Sequence, residues 1–309
     1  MAKLRGAAAL LFPVFFGAAL LFFPDVSAAA AREGVALCLQ TVLPSLFPFF
    51  VLSSLLVQSD VPRLLSRAMA GVMYPLFGVS GAGASALILG LLGGYPVGAR
   101  TVAELYGRGE IAREDAEQLL AFCNNSGPGF FLGVCGTAVF GCARAGAYLY
   151  LIHVGAALVT GVLLRRDLGL PRRKAVSRQR APFDLAAALP AAVQGSFAAV
   201  GSVSAFVIFF MVLLRLLSLV PALAALPPLP RAALFGFVEM TNGVNALPAT
   251  RMGFVLCAAI MNWGGLSVQA QTRAMLAGSA LSARRCVIGK AVQALAGVPL
   301  ALLAAQRLF

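Results

Sequence analysis

The chain has 309 residues, 60% of them hydrophobic and only 11% charged, where an ordinary soluble domain carries about 25% charged residues. That composition excludes a soluble enzyme: in spans of about 20 residues, the apolar positions suffice for roughly seven to nine complete or partial membrane crossings. The formal charge of +13 does not mark a nucleic-acid binder, because the 24 Lys and Arg lie mostly in short segments beside apolar runs, with no basic stripe interleaved with aromatics. The lipid bilayer is the expected partner, and nucleic acid is not.

The chain opens on Lys3 and Arg5, an apolar run over residues 7 to 23, and then a small-residue stretch before Arg32. A run of that length is long for a signal peptide, so residues 1–33 read as an uncleaved first transmembrane helix. Further apolar segments follow at 35 to 57, 83 to 106, 116 to 140, 146 to 164, 193 to 217, 231 to 250, 253 to 275 and 287 to 305. Two of these do not read as simple spans. Residues 83 to 106 break at Gly93, Gly94 and Pro96, leaving an arm of about 11 residues, or roughly 16 Å, against a hydrocarbon core of about 30 Å. Residues 231 to 250 break at Thr241, Asn242 and Gly243, with arms of about 9 and 8 residues that reach no further than mid-bilayer. Both are expected to be re-entrant hairpins.

Charge bias supports that expectation. With two hairpins, 18 basic residues face the cytoplasm, including the run at 165 to 180, Arg100 and Lys290, and six face outward. If both segments crossed completely, the balance would become 11 inside to 13 outside, which the positive-inside rule disfavours.

After the first helix, the same order of elements occurs twice: a span, a hairpin, a broken span and a plain span. The first copy occupies 34–164 and the second 193–309, joined by a basic cytoplasmic linker at 165–192. The copies enter from opposite faces, so the expected fold is an all-α polytopic membrane protein built as an inverted repeat with two re-entrant helical hairpins and broken helices. That architecture belongs to secondary transporters, which bind substrate near the midplane at the repeat interface. The breaks at Asn124, Asn125, Ser126, Gly127 and Pro128 and around Asn262 to Gly265 need protein or a water-filled cavity around them, since each unpaired backbone group in hydrocarbon costs several kcal/mol. A half-helix starting at mid-membrane also presents free N–H groups and partial positive charge, which favours an anionic ligand.

The stretch GGYPVGARTVAELYGRGEIAREDAEQLLAFCNNSGPGFFLGV, with LPSLFPFF near residue 43 and FVEMTNGV near residue 237, resembles the YlbJ-type family of sporulation integral membrane proteins, within the wider Gate or nucleoside-recognition group. The resemblance implies a polytopic protein of endospore formers, related in architecture to concentrative nucleoside transporters. It further implies transport of dipicolinic acid into the developing spore across the outer forespore membrane.

Candidate substrate-binding residues are Tyr95, Arg100, Asn124, Asn125, Ser126, Glu239, Thr241, Asn242, Asn245 and Asn262. Glu239 is the only acid in its segment and costs about 2.5 to 3.5 kcal/mol at mid-bilayer, so it is a candidate for substrate contact or for coupling to H+ or Na+. The alternative is a structural acid. The amides and hydroxyls offer neutral donors and acceptors at tips and breaks, or else satisfy the broken backbone. Arg100 either attracts a carboxylate or snorkels to the cytoplasm. Tyr95 and Trp263 can stack on a flat aromatic ligand or pack against neighbouring helices. His153 lies in a plain span and reads as structural. No C-x-x-C pair or His/Cys cluster is present, so no metal or cofactor is expected.

The leading expectation is a transporter of a small, anionic solute. An intramembrane enzyme is disfavoured because no H-E-x-x-H, G-x-S-x-G or nucleotide loop is present. A non-transporting scaffold of the spore envelope, which needs no polar breaks at mid-membrane, and a nucleoside-type transporter are the alternatives. The sequence is compatible with a homo-oligomer without fixing one.

Overall fold

The computed structural model describes residues 2–166 and 183–309. Residues 167–182 of the expected basic linker, including most of its charges, fall outside them. Every regular element among the described residues is helical. Four helices are long and apolar enough to cross a membrane, and six crossings result if each of two bent helix pairs is one span. The chain is a multi-pass integral membrane protein.

Helix α1 (Ala2–Phe22) meets α2 (Pro24–Leu37) at a bend of 101°. Helix α2 runs on through a π-helical stretch, Cys38–Val42, into α3 (Leu43–Gln58). The small-residue stretch before Arg32 is helical, as expected, but in a second helix set off by the bend: Pro24 suits a first turn and the alanines that follow are strong helix formers. Helix α4 (Val61–Phe77) was not anticipated. Its apolar residues are interrupted by Arg63 and Arg67, too polar for a span but sufficient for a one-sided helix that packs Met73 and Phe77 inward. Gly78 ends it in a left-handed conformation at φ 69°.

The first hairpin is α5 (Ala84–Gly93) and α6 (Val97–Gly107), which pack on each other across the turn at Gly94, Tyr95 and Pro96. The first broken span is α7 (Arg113–Leu119), a non-helical stretch over 124–127, and a second half ending in the π-helical stretch Phe130–Val139. Glu114 and Asp115 occupy the first turn of α7, where acids suit the helix dipole. Helix α8 (Ala143–Leu163) is a plain span.

The second copy opens on α9 (Leu185–Leu217), capped by the Asp184 side chain, and the short α10 (Pro221–Ala224). The second hairpin is α11 (Pro228–Val238) and α12 (Met240–Asn245). Its break lies at Glu239 and not at Thr241, Asn242 and Gly243 as expected. The Glu239 carboxylate accepts from the N–H groups of Thr241 and Asn242, so the helix restarts at once and those residues form its first turn. The second broken span is α13 (Arg251–Trp263) and α14 (Gly265–Met275), and α15 (Arg284–Leu308) completes the chain.

The packing follows the repeated order. Helix α9 lies against α2 and α3, and α8 lies against α15. The first hairpin touches α14 of the second copy, and α12 of the second hairpin touches the π-helical half of the first broken span. Each hairpin thus meets the broken helix of the other copy, which brings both tips and both breaks to one region.

Candidate functional site

Small residues allow the first hairpin to sit directly on the first break. Gly90 and Gly98, on its facing arms, both abut the Cys123 carbonyl oxygen, and a Cβ at either position would collide with it. Asn124 then fastens three elements: its Oδ1 accepts from the Ala99 N–H at 3.4 Å, and its Nδ2 donates to Thr272 Oγ1 of α14 at 2.8 Å.

The second break lies between the two hairpin turns. Gly264 and Gly265 both have φ of 80°, a left-handed conformation that costs an L-residue about 1–2 kcal/mol. A Cβ on Gly264 would lie 3.3 Å from the Tyr95 hydroxyl, and one on Gly265 would lie 3.0 Å from both Met240 N and the Val238 carbonyl oxygen. One glycine therefore faces each tip. Tyr95 extends across to donate its O–H to the Met261 carbonyl at 3.2 Å.

Where the first tip, the first break, α8 and α15 meet, Lys290 is fully buried. Its ammonium donates to Gln293 Oε1 at 2.6 Å, Asn125 Oδ1 at 3.2 Å and the Tyr95 hydroxyl oxygen at 3.2 Å, and lies 5.0 Å from the Tyr95 ring centroid. Gln293 Nε2 donates to Asn125 Oδ1 at 3.1 Å and to the His153 carbonyl at 3.3 Å. Asn125 Nδ2 donates to the Phe122 carbonyl at 2.8 Å. The Ser126 N–H donates to His153 Nε2 at 3.1 Å. That bond assigns the neutral imidazole its proton on Nδ1, the nitrogen that lies 3.4 Å from Gln293 Nε2. Asn262 Nδ2 donates to the Ala258 carbonyl at 2.8 Å, and its buried Oδ1 has no hydrogen-bond partner. Among the described residues no carboxylate pairs with Lys290. The cluster is a positive charge held by neutral oxygen acceptors.

Of the residues named from sequence, the fold brings Tyr95, Asn124, Asn125, Ser126 and Asn262 to this cluster. Glu239, Thr241 and Asn242 stand at the other tip, across Gly264 and Gly265. There Glu239 is 8% exposed, and its carboxylate also accepts from Asn242 Nδ2 at 2.8 Å. Arg100 and Asn245 are elsewhere. Arg100 is buried, pairs with Glu104 at 2.9 Å, donates to Ser196 Oγ at 3.3 Å and covers the Phe50 ring at 5.0 Å. It neither snorkels nor faces the cluster. Asn245 is exposed at the end of α12. Trp263 stacks on Phe237 at 5.3 Å and donates to the Phe237 carbonyl at 3.0 Å.

Three further residues complete the cluster: one counted as a cytoplasmic charge, one read as structural and one not named from sequence. Lys290, counted among the cytoplasmic charges, is a core residue, as is Arg100, which leaves 16 basic residues on that side and the bias intact. His153 packs its ring against Phe131 at 4.9 Å and serves the first break. Gln293 is the hub between α15, α8 and that break. The available signal was the pair Lys290 and Gln293, three residues apart and so on one face of an otherwise apolar helix. A groove of about 590 Å³ lined by Phe210, Trp263, Gln269 and Arg273 shares no residue with the Lys290 cluster, which is closed to solvent.

The Gate family profile, described as nucleoside recognition, matches residues 39–215, more than half of the chain. The sporulation integral membrane protein YlbJ of Bacillus subtilis (strain 168) is 29% identical over 302 residues, an alignment covering 86% of this chain and 74% of that protein. No solved structure matches.

Proposed function

The chain belongs to the Gate, or nucleoside recognition, family, and from that membership we propose that it is a secondary transporter of a small anionic solute. The observation that carries this reading is the buried Lys290 ammonium, ringed by Tyr95, Asn125 and Gln293. Lys290 lies six residues inside α15 and is fully buried, and a buried charge without a counter-ion is strongly unfavourable unless other groups compensate it. Its use is to receive a negative charge. A solute carboxylate entering the cluster replaces a neutral acceptor with an ionic one. The tips of two hairpins, separated by Gly264 and Gly265, supply a barrier on each side of that position.

The favoured solute is dipicolinic acid, by resemblance to the sporulation protein, and the favoured location is the outer forespore membrane. Dipicolinate is a flat ring with two carboxylates: one suits the ammonium, and the amides of Asn125, Gln293 and Asn262 suit further oxygens. Glu239 does not oppose such an anion from within the cluster, since its oxygens are turned onto the N–H groups of α12. Purified protein in liposomes tests the reading. Saturable uptake of labelled dipicolinate, unaffected by excess nucleoside, is expected. Uptake of nucleosides instead would overturn the choice of solute, and uptake of neither would favour the envelope scaffold.

A further inference from the structure

The cluster bears on what drives transport. We propose that the coupling ion is a proton and that Lys290 carries it, inward-directed solute and proton sharing one binding event between the first hairpin tip and the first break. This inference rests on the transport reading above.

The carboxylate at the facing tip, Glu239, already accepts three N–H donors, so it does not offset the charge of a cation beside the solute. A fixed ammonium repels a second cation. Lys290 itself can gain and lose one.

The titratable groups that face Lys290 are few. The first hairpin presents Tyr95, the first break Cys123, α8 His153, and α15 itself Cys286. Helices α13 and α14 present the neutral Asn262 and Thr272. At the cytoplasmic end, Arg285 of α15 binds Gln118 of α7 and the Leu164 carbonyl, while Glu117 of α7 pairs with Arg113. His153 is a poor alternative carrier, because the Ser126 N–H occupies the Nε2 lone pair that a second proton would need.

The cycle balances simply. Protonated Lys290 binds the solute carboxylate. After the solute leaves, one N–H bond of the ammonium breaks, the electron pair stays on Nζ, and the proton passes to water admitted as the tip lifts. The amine then accepts from the Tyr95 hydroxyl, and the empty site is neutral, so it crosses back without moving a charge. An ammonium that could not lose its proton would bind solute and exchange it but could not return empty.

Proteoliposomes loaded with the pH dye pyranine provide the test, with labelled dipicolinate as solute and protein-free liposomes as the control. An inward proton gradient should drive accumulation in the wild type, an inward Na+ gradient at equal pH should not, and solute entry should acidify the lumen. Lys290→Arg and Lys290→Met should both lose gradient-driven accumulation. Accumulation driven by Na+, entry without acidification, or undiminished proton-driven accumulation by Lys290→Arg would overturn the proposal. If Lys290→Arg does not fold, the wild-type gradient and dye measurements decide alone. Absence of exchange in the wild type would instead refute the transport reading.

Discussion

Asn125 is the acceptor that two donors share, Lys290 Nζ and Gln293 Nε2, and its loss removes one acceptor from each. An unsatisfied buried donor costs about 1–3 kcal/mol, more when charged, so Asn125→Ala should lower the thermal midpoint in detergent clearly. Asn245→Ala, at an exposed position, should change stability by no more than about 0.5 kcal/mol. Equal effects would contradict the network. Glu239 makes a parallel case. As the cap of α12, its replacement by Ala should cost about 1 kcal/mol, with Glu239→Asp milder in the same melt. A Glu239→Ala protein with unchanged stability and lost uptake would point to a direct role in transport. Asn124, Asn125 and Ser126 were legible as site residues because polar groups in an apolar run need a reason. Lys290 was not, because a lysine six residues inside a helix end is compatible in sequence with either snorkelling or burial.

Hairpins and breaks depend on what glycine permits. The first hairpin rests on the first break because Gly90 and Gly98 leave the Cys123 carbonyl free. Gly98→Ala should therefore displace the arm, at about 1–3 kcal/mol of overpacking, and reduce uptake. Gly201→Ala, in α9 with no atom within 4 Å of the added methyl, should stabilise slightly through helix propensity. Side-by-side melts and uptake check both. The short arms and the Gly93 to Pro96 interruption made the first hairpin readable. The second was found but its turn misplaced, since a glycine after two polar residues reads as a break unless the capping geometry of Glu239 is known. Gly243 has a different purpose: a Cβ there would collide with the backbone of Gly236, so it sets the close packing of α11 on α12. Helix α4 escaped notice because its charges removed the span signal.

The whole molecule has an orientation, and a native probe can report it. Of the six cysteines only Cys142 is exposed, at the start of α8 beside Arg144, on the side that the charge bias assigns to the exterior. Backbone N–H groups of Ala145 and Arg144 hold its thiol below the ordinary range. In spheroplasts of a bacterial host, a membrane-impermeant maleimide should label Cys142 without lysis. The rate should rise with pH and level off earlier than for a free thiol, because the reactive thiolate is complete at lower pH. Labelling only after lysis would reverse the assigned topology.

The sequence by itself determined the membrane setting, the two hairpins and the approximate breaks, while its seven to nine complete or partial crossings compare with four to six spans in the structure. These follow from hydrophobic length and from local turn chemistry, which depend only on neighbouring residues. The tertiary structure alone decided that Lys290, Gln293 and His153, from two helices far apart in the chain, close around Asn125 and Tyr95. Burial of a charge is a property of what packs against it, and in this chain those partners lie 137 to 195 positions away.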